Sequence, residues 1–282
     1  MVEGDRPPQG AKITAHIAAV SDEAQLVKFR DEAVDQHQTD RIHLLFNNAG
    51  IGGGGGFVNG SREEWEKTFN VCWGGVYYGT RAFLPMLMRA SEGHIINTSS
   101  VNGFWASLGP TTPHTAYSAA KFAVKGFTEA LVNDLRLNAP HVKCSVVMPG
   151  HIGTEIVANS RKVLVGSDDT TLSAEELKQT RARLVTFGMD ADKLSDAEVQ
   201  KMSEEQARRF HDDAPTSAAQ AATIILDGVR NETWRILVGD DAHHLDAIVR
   251  KAPELAYEPD FFQRFAEDAG WQLGSRPAGR SN

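Results

Sequence analysis

The chain has 282 residues, enough for one large α/β domain or two small ones; 41% are hydrophobic and the formal net charge is -8. That charge, with basic residues scattered along the chain, argues against nucleic acid or an anionic membrane as the main partner. Two cysteines do not make a disulfide framework, no apolar run approaches the ~18 residues of a membrane span, and the N-terminus lacks a signal-peptide core, so the chain reads as a soluble cytoplasmic protein.

Residues 1–10 are polar and carry Pro7 and Pro8, a loose lead-in. Lys12 to Val20 alternates weakly and reads as a strand. Ser21 is placed to cap a helix running to about His37, with Asp22 and Glu23 in its favourable first turn. Leu44-Leu45-Phe46-Asn47-Asn48-Ala49-Gly50 reads as a strand ending in small polar residues. Within the run Gly50-Ile-Gly-Gly-Gly-Gly-Gly56, the residues Gly50, Gly52 and Gly55 satisfy G-x-G-x-x-G. Any glycine run does so, and no acidic residue follows about 20 positions on at a strand end, so this segment reads as a loop and not a dinucleotide fingerprint. Ser61-x-x-Glu64 is a capping box opening a helix from Arg62 to about Arg89, with Asn70 inside it.

His94-Ile95-Ile96-Asn97-Thr98-Ser99-Ser100 reads as a buried strand ending in hydroxyls. A loop to Tyr117 follows, carrying Phe104, Trp105 and Leu108 among Gly103, Gly109, Pro110 and Pro113. The helix over 116–138 begins Tyr117-Ser118-Ala119-Ala120-Lys121. Positions i and i+4 project from one helix face, so a phenol and an amine point into one space. A cation beside a phenol favours the phenolate, which fits the pair to move a proton at a carbonyl or alcohol oxygen. Val142-Lys143-Cys144-Ser145-Val146-Val147-Met148-Pro149-Gly150 reads as a further strand, and Cys72 and Cys144 read as packed thiols. Residues 155–213 read as helices between polar turns, with capping boxes at Ser173-x-x-Glu176 and Ser195-x-x-Glu198. Thr216 to Val229 reads as a helix and Arg235 to Gly239 as a last strand. The polar tail over 270–282 reads as disordered. His243-His244 has no partner at metal-ligand spacing, and no metal is expected.

Asn-Asn-Ala-Gly at 47–50, Ser100, Tyr117-x-x-x-Lys121 and Pro149-Gly150 occur in an order that resembles the classical short-chain dehydrogenase/reductase family, over roughly residues 11–240. The resemblance implies an α/β fold with a Rossmann-like, doubly wound parallel sheet in three layers. It implies one such domain over 1–282, with 11–154 and 214–240 as core and 155–213 as a helical insertion covering substrate. It implies an NAD(P)-dependent oxidoreductase interconverting a secondary alcohol and a ketone. In it Tyr117 is the general acid-base, Lys121 lowers the tyrosine pKa and holds the nicotinamide ribose, and Ser100 polarises the carbonyl. Asn70 holds a water that relays the proton. Asn48, Ala49, Gly50, Tyr117, Lys121, Pro149, Gly150, Ile152 and Thr154 line the NAD or NADP. The expected partners are a small-molecule alcohol or ketone and further copies in a homodimer or homotetramer, with no nucleic acid and no membrane.

One departure stands out. Members of that family open with a strand, a Gly-x-x-x-Gly-x-Gly turn, a helix and a second strand, whose glycines let the backbone approach the pyrophosphate. Nothing before Leu44 supplies that unit, and residues 11–37 align with the family's third strand and following helix, so the fold is expected to be N-terminally incomplete. The alternative reading is therefore a non-catalytic remnant that acts as a binding or oligomer-interface module.

Overall fold

The computed structural model describes residues 10–109, 112–167, 169–186 and 189–269. The expected tail over 270–282 lies outside these residues, as does Pro110 of the loop before Tyr117. Helix α1 (Glu23–His37) is capped by Asp22, whose side chain accepts from the Ala24 and Gln25 backbone N–H groups. Ser21 is not the cap, because the carboxylate one residue later already meets those two donors. Lys12–Val20 enters no ladder and runs into a turn at Val20. With no strand partner, it is tied instead to α1, through Thr14 to His37 at 2.9 Å and His16 to Glu32 at 2.8 Å.

The main sheet has four strands in the order β1-β2-β3-β6, all parallel: β1 (Leu44–Asn47), β2 (Gly93–Thr98), β3 (Val142–Pro149) and β6 (Arg235–Val238). A two-stranded parallel pair joins β4 (Ile152–Gly153) to β5 (Thr216–Ser217). Strands β2 and β3 are buried on both faces and read as near-continuous apolar runs, as parallel strands covered by helices do. Successive side chains serve opposite faces. Ile95 packs with Leu87 of α3 (Gly75–Met88) and with Leu131 and Leu135 of α4 (Thr115–Asn138). Ile96 packs on the other side with Val147, Ile236 and Ala221 of α8 (Ala218–Arg230). The result is helix, sheet, helix, the three-layer α/β arrangement expected. Strand β1 forms the sheet edge, with Leu44 and Phe46 exposed on it.

The long helix expected over 62–89 is α2 (Arg62–Phe69) running through one π turn (Asn70–Gly74) into α3. Its capping box is half formed. Ser61 accepts from the Glu64 N–H, but the Glu64 carboxylate turns to the Gly54 N–H at 3.0 Å. The boxes at Ser195 and Ser173 are complete. Between β4 and β5 lie α5 (Ile156–Val165), α6 (Ala174–Thr186) and α7 (Asp196–Asp212). Helices α9 (Asp240–Lys251) and α10 (Phe261–Ala269) close a cluster on Trp105, whose indole donates to the Ala256 carbonyl at 2.7 Å. No described helix is long and apolar enough to cross a membrane.

Candidate active site

Parallel neighbours bring the carboxyl ends of β1, β2 and β3 to one edge of the sheet, the edge at which open α/β folds place their chemistry. Ser100 stands just past β2. Its hydroxyl accepts from the Asn102 N–H at 3.1 Å and rolls the chain into a short 3-10 turn, Val101–Gly103. A Cβ at Gly103 would stand 2.3 Å from Ser99 Oγ and 2.8 Å from the Lys121 carbonyl oxygen, so only glycine lets this turn lie against α4. Ser99 Oγ donates to that same carbonyl at 2.7 Å. The strand end carrying Ser100 is thus fastened to α4 at the residue that also supplies the amine.

On α4, the i,i+4 spacing does what the sequence implied. Lys121 is buried, with Nζ 5.3 Å from the Tyr117 ring centroid and donating to the Thr98 carbonyl at 2.9 Å. The Ser100 hydroxyl is in hydrogen-bonding reach of the Tyr117 phenol. Burial pushes that phenol above its ordinary range, while Lys121 and the Ser100 hydrogen bond pull it down. The expected lowering by Lys121 is present but outweighed, because desolvation of the phenolate costs more than one cation returns. Tyr117 is therefore a protonated phenol at neutral pH in this structure. The His114 ring packs on it with centroids 4.6 Å apart, and burial depresses that imidazole to about 4, so it is neutral at pH 7.

Asn48, Ala49 and Gly50 follow β1, and the Asn48 side chain accepts from Thr98 Oγ1 at 3.0 Å. A Cβ at Gly50 would meet Lys121 Nζ at 3.4 Å and Cys72 Sγ at 3.7 Å, so glycine leaves a small cradle beside the buried amine. Pro149 and Gly150 end β3, with Ile152 and Thr154 along and beyond β4. A Cβ at Gly150 would lie 2.2–2.5 Å from three carboxylate atoms of Asp241, and Asp241 accepts from the His151 N–H at 2.7 Å. This clasp holds the turn after β3 against α9.

Asn70 is not brought into the site. It is exposed at the start of the π turn. The inward stripe of this helix is Thr68, Cys72 and Val76, four residues apart and all buried, and position 70 falls half a turn away from it. Cys72, two residues on, faces Gly50 and donates to the Ile51 carbonyl at 3.2 Å. Sequence reading treated Cys72 as a packed thiol and missed its place beside Lys121; the phase of the apolar positions 68, 72 and 76 carried that signal. It also missed Asp241, whose role depends on a glycine 91 positions earlier, a separation read from the numbering. Among the described residues no cluster of His, Cys, Asp and Glu could hold a metal ion.

Residues 5–165 match the short chain dehydrogenase family. A protein named oxidoreductase SadH from Mycobacterium tuberculosis is 31% identical over 241 residues, covering 86% of this chain and 73% of that one. The 3-ketodihydrosphingosine reductase of Bacteroides thetaiotaomicron is 37% identical over 131 residues, 45% of this chain and 46% of that one. A short chain dehydrogenase/reductase from Burkholderia phymatum, crystallised in complex with NAD, superposes with a TM-score of 0.65 at 28% identity, covering 89% of this chain and 79% of that one. With the motif order carried on adjacent strand ends and the match spanning more than half of its length, the chain belongs to the short chain dehydrogenase family.

Proposed function

We propose that this chain is an NAD- or NADP-dependent oxidoreductase that interconverts a secondary alcohol and a ketone. One observation carries the reading: a hydroxyl (Ser100), a phenol (Tyr117) and a buried amine (Lys121) converge from two elements fastened to each other. A neutral phenol in hydrogen-bonding reach of a hydroxyl is a proton donor, which is what reduction of a ketone requires at the carbonyl oxygen. Ser100 orients that oxygen, and Tyr117 supplies the proton as negative charge develops on it. Lys121 stabilises the phenolate left behind. In the reverse direction Tyr117 takes the alcohol proton, and the Lys121 amine makes that step less costly.

The residues fit the nicotinamide half of a dinucleotide. Lys121 spends one of its three N–H donors on Thr98, and the cradle above Gly50 opens beside the other two, which suits ribose hydroxyls. Asn48, Ala49, Pro149, Gly150, Ile152 and Thr154 would flank that half. When bound, the nicotinamide supplies the hydride chemistry; the chain supplies alignment and the proton. Among the described residues no glycine-rich turn opens a helix at a strand end, so no group is assigned to the pyrophosphate. The NAD complex of the Burkholderia phymatum protein supports a nicotinamide cofactor. Helices α5–α7 are read as the substrate cover, and a homodimer or homotetramer as the assembly.

The test pairs turnover with binding. Oxidation of a panel of secondary alcohols with NAD+ or NADP+ is expected, and Tyr117→Phe should abolish it while leaving the melting temperature within a few degrees. A cofactor that binds the native state should also raise that temperature in both proteins. Turnover surviving in Tyr117→Phe removes the assigned acid-base. No turnover and no thermal shift with either cofactor supports the second reading, a non-catalytic interface module, for which the exposed Tyr77 and Phe122 on α3 and α4 offer an apolar face.

A further inference from the structure

The run Gly52–Gly56 seats the start of the helix that carries the acid-base. The Gly55 carbonyl accepts from both the N–H and the hydroxyl of Thr115, at 3.1 Å each, and the Gly54 carbonyl accepts from the Ala116 N–H at 3.4 Å. Gly54 sits at φ +64, where a Cβ would press to 2.4 Å from Ala116 Cβ, so only glycine lets the run lie this close to α4. Thr115 Oγ1 also accepts from the Trp65 indole at 3.0 Å, and the Gly54 N–H is held by Glu64. The other end of the run meets α5: the Gly52 N–H donates to Ser160 Oγ at 2.7 Å, and a Cβ at Gly53 would stand 2.7 Å from Leu164 Cδ1. The first turn of α4 is thereby fixed from outside the helix.

That arrangement releases His114 from capping. It occupies the N-cap position of α4, where Ser, Thr, Asp or Asn ordinarily binds the first free N–H groups, and its side chain makes no such bond. Three residues ahead of Tyr117, it shares that residue's side of the helix. Its ring lies on the phenol ring, with centroids 4.6 Å apart and planes tilted by 35°. The same imidazole also lines a cavity of about 550 Å3, between the loop before α4 and the first two turns of that helix, together with Ser107, Thr115, Ser118 and Phe122. Among the described residues His114 lines this cavity and Tyr117 does not, so the imidazole stands between the cavity and the phenol. Tyr117 itself packs on Ile51, Cys72 and Ala120, and the groups in electrical or hydrogen-bonding reach of its phenol are Lys121 on its own helix, Cys72 and Ser100.

We propose that His114 is a positioning residue for Tyr117: its ring, by volume and not by charge, walls the phenol off from the cavity and so keeps the acid-base desolvated and in place. A phenolate gains more from water than a phenol does, so a ring that excludes water also holds the proton on Tyr117. That this proton serves turnover rests on the oxidoreductase reading; the partition does not. The test therefore reads the ionisation of Tyr117 by phenolate absorbance in pH jumps, each variant being compared with the same variant carrying Tyr117→Phe, and needs neither cofactor nor substrate. His114→Ala joins the cavity to the phenol and should lower the pH of the Tyr117 step. His114→Val fills part of the gap and should lower it less. His114→Phe keeps a ring without its nitrogens and should leave the step at its wild-type position. If turnover is present, its rise with pH in alcohol oxidation should move to lower pH in His114→Ala and stay in place in His114→Phe. An unmoved step in His114→Ala, or in His114→Val where the alanine variant does not fold, overturns the partition, and a lower melting temperature beside that unmoved step assigns His114 to stability alone. A step that falls as far in His114→Phe as in His114→Ala also overturns it. The expected shifts in a chain that turns over no alcohol keep the partition and count against the oxidoreductase reading instead.

Discussion

Replacing Lys121 by methionine isolates the interaction on which the acid-base reading rests. Methionine keeps the apolar stem volume and removes the charge, so the buried position stays filled. Nζ lies 5.3 Å from the Tyr117 ring centroid. At an effective dielectric of about 20, unit charges at that separation interact by about 3 kcal/mol. Water at the partly exposed ring trims the figure, and removing the charge in Lys121→Met should raise the phenol further, beyond where burial already holds it. The assay is a pH-jump titration of phenolate absorbance, read before alkaline unfolding sets in. The Tyr117 step is obtained by subtracting Tyr117→Phe, because Tyr77, Tyr78 and Tyr257 also contribute. Lys121→Arg retains a cation and should move the step far less. An unmoved Tyr117 step in Lys121→Met refutes the electrostatic role, whatever happens to turnover.

His114 makes stability pH-dependent: its folded value of about 4 lies below the unfolded 6.5, so the unfolded state binds the extra proton as pH falls through that window. Stability should drop by roughly 3 kcal/mol between about pH 6.5 and about pH 4, read as urea midpoints, and His114→Gln should flatten that part of the curve. Asn70→Ala should leave turnover within about twofold of wild type, as expected of an exposed polar residue. Cys72→Leu should cost on the order of 1–3 kcal/mol by overpacking and, by filling the cradle at Gly50, remove the thermal shift from nicotinamide cofactors; a retained shift would place the cofactor elsewhere. Gly150→Ala drives a methyl into the Asp241 carboxylate and should lower stability by on the order of 2 kcal/mol, with added exchange at the His151 amide, whereas an unchanged midpoint would deny the clasp.

What was legible in the sequence was local. Tyr117 and Lys121 share a helix, and a spacing of four fixes their common direction whatever the tertiary structure does. Strands β2 and β3 are short apolar runs ending in hydroxyls or Pro-Gly, so their ends could be located, and parallel order then sets those ends side by side. Capping boxes at Ser173 and Ser195 are likewise decided within four residues. The failures needed information from farther away. Lys12–Val20 alternates like a strand, but a strand exists only when a partner takes its hydrogen bonds. Asn70 required the helical phase of its neighbours, which Thr68, Cys72 and Val76 set. The glycine run gained its meaning from Ser160 and Leu164, residues that no local pattern connects to it. Tyr117 shows a third kind of limit: a neighbouring cation is visible in sequence, but the extent of burial opposing it is not.

What holds the site in place follows from its hydrogen bonds. Asn47 donates to Thr80 and Asn97, Asn97 donates to Thr128, and Thr128 donates to the Val124 carbonyl, so one buried polar chain stitches α3, β1, β2 and α4 together. Ser99 and Gly103 then press the end of β2 onto α4 at Lys121. A half-satisfied buried chain of this kind would be costly, which makes any slip of α4 along the sheet expensive in unpaired polar groups. Tyr117, Lys121 and Ser100 inherit that rigidity, and the alignment a proton transfer needs is present before any substrate arrives. Helix α5 stands outside that chain: Ser160 and Leu164 meet the glycine run, Lys67 donates to the Val163 carbonyl, and Arg161 ties the helix to Glu176 and to the Thr171 carbonyl. The proton chemistry thus rests on that stitched frame, so substitutions at the exposed positions of α5, such as Val157 and Lys162, should leave the ionisation of Tyr117 where it is, whereas Leu164→Ala, which opens the cluster packed on Tyr117, should let water in and lower it.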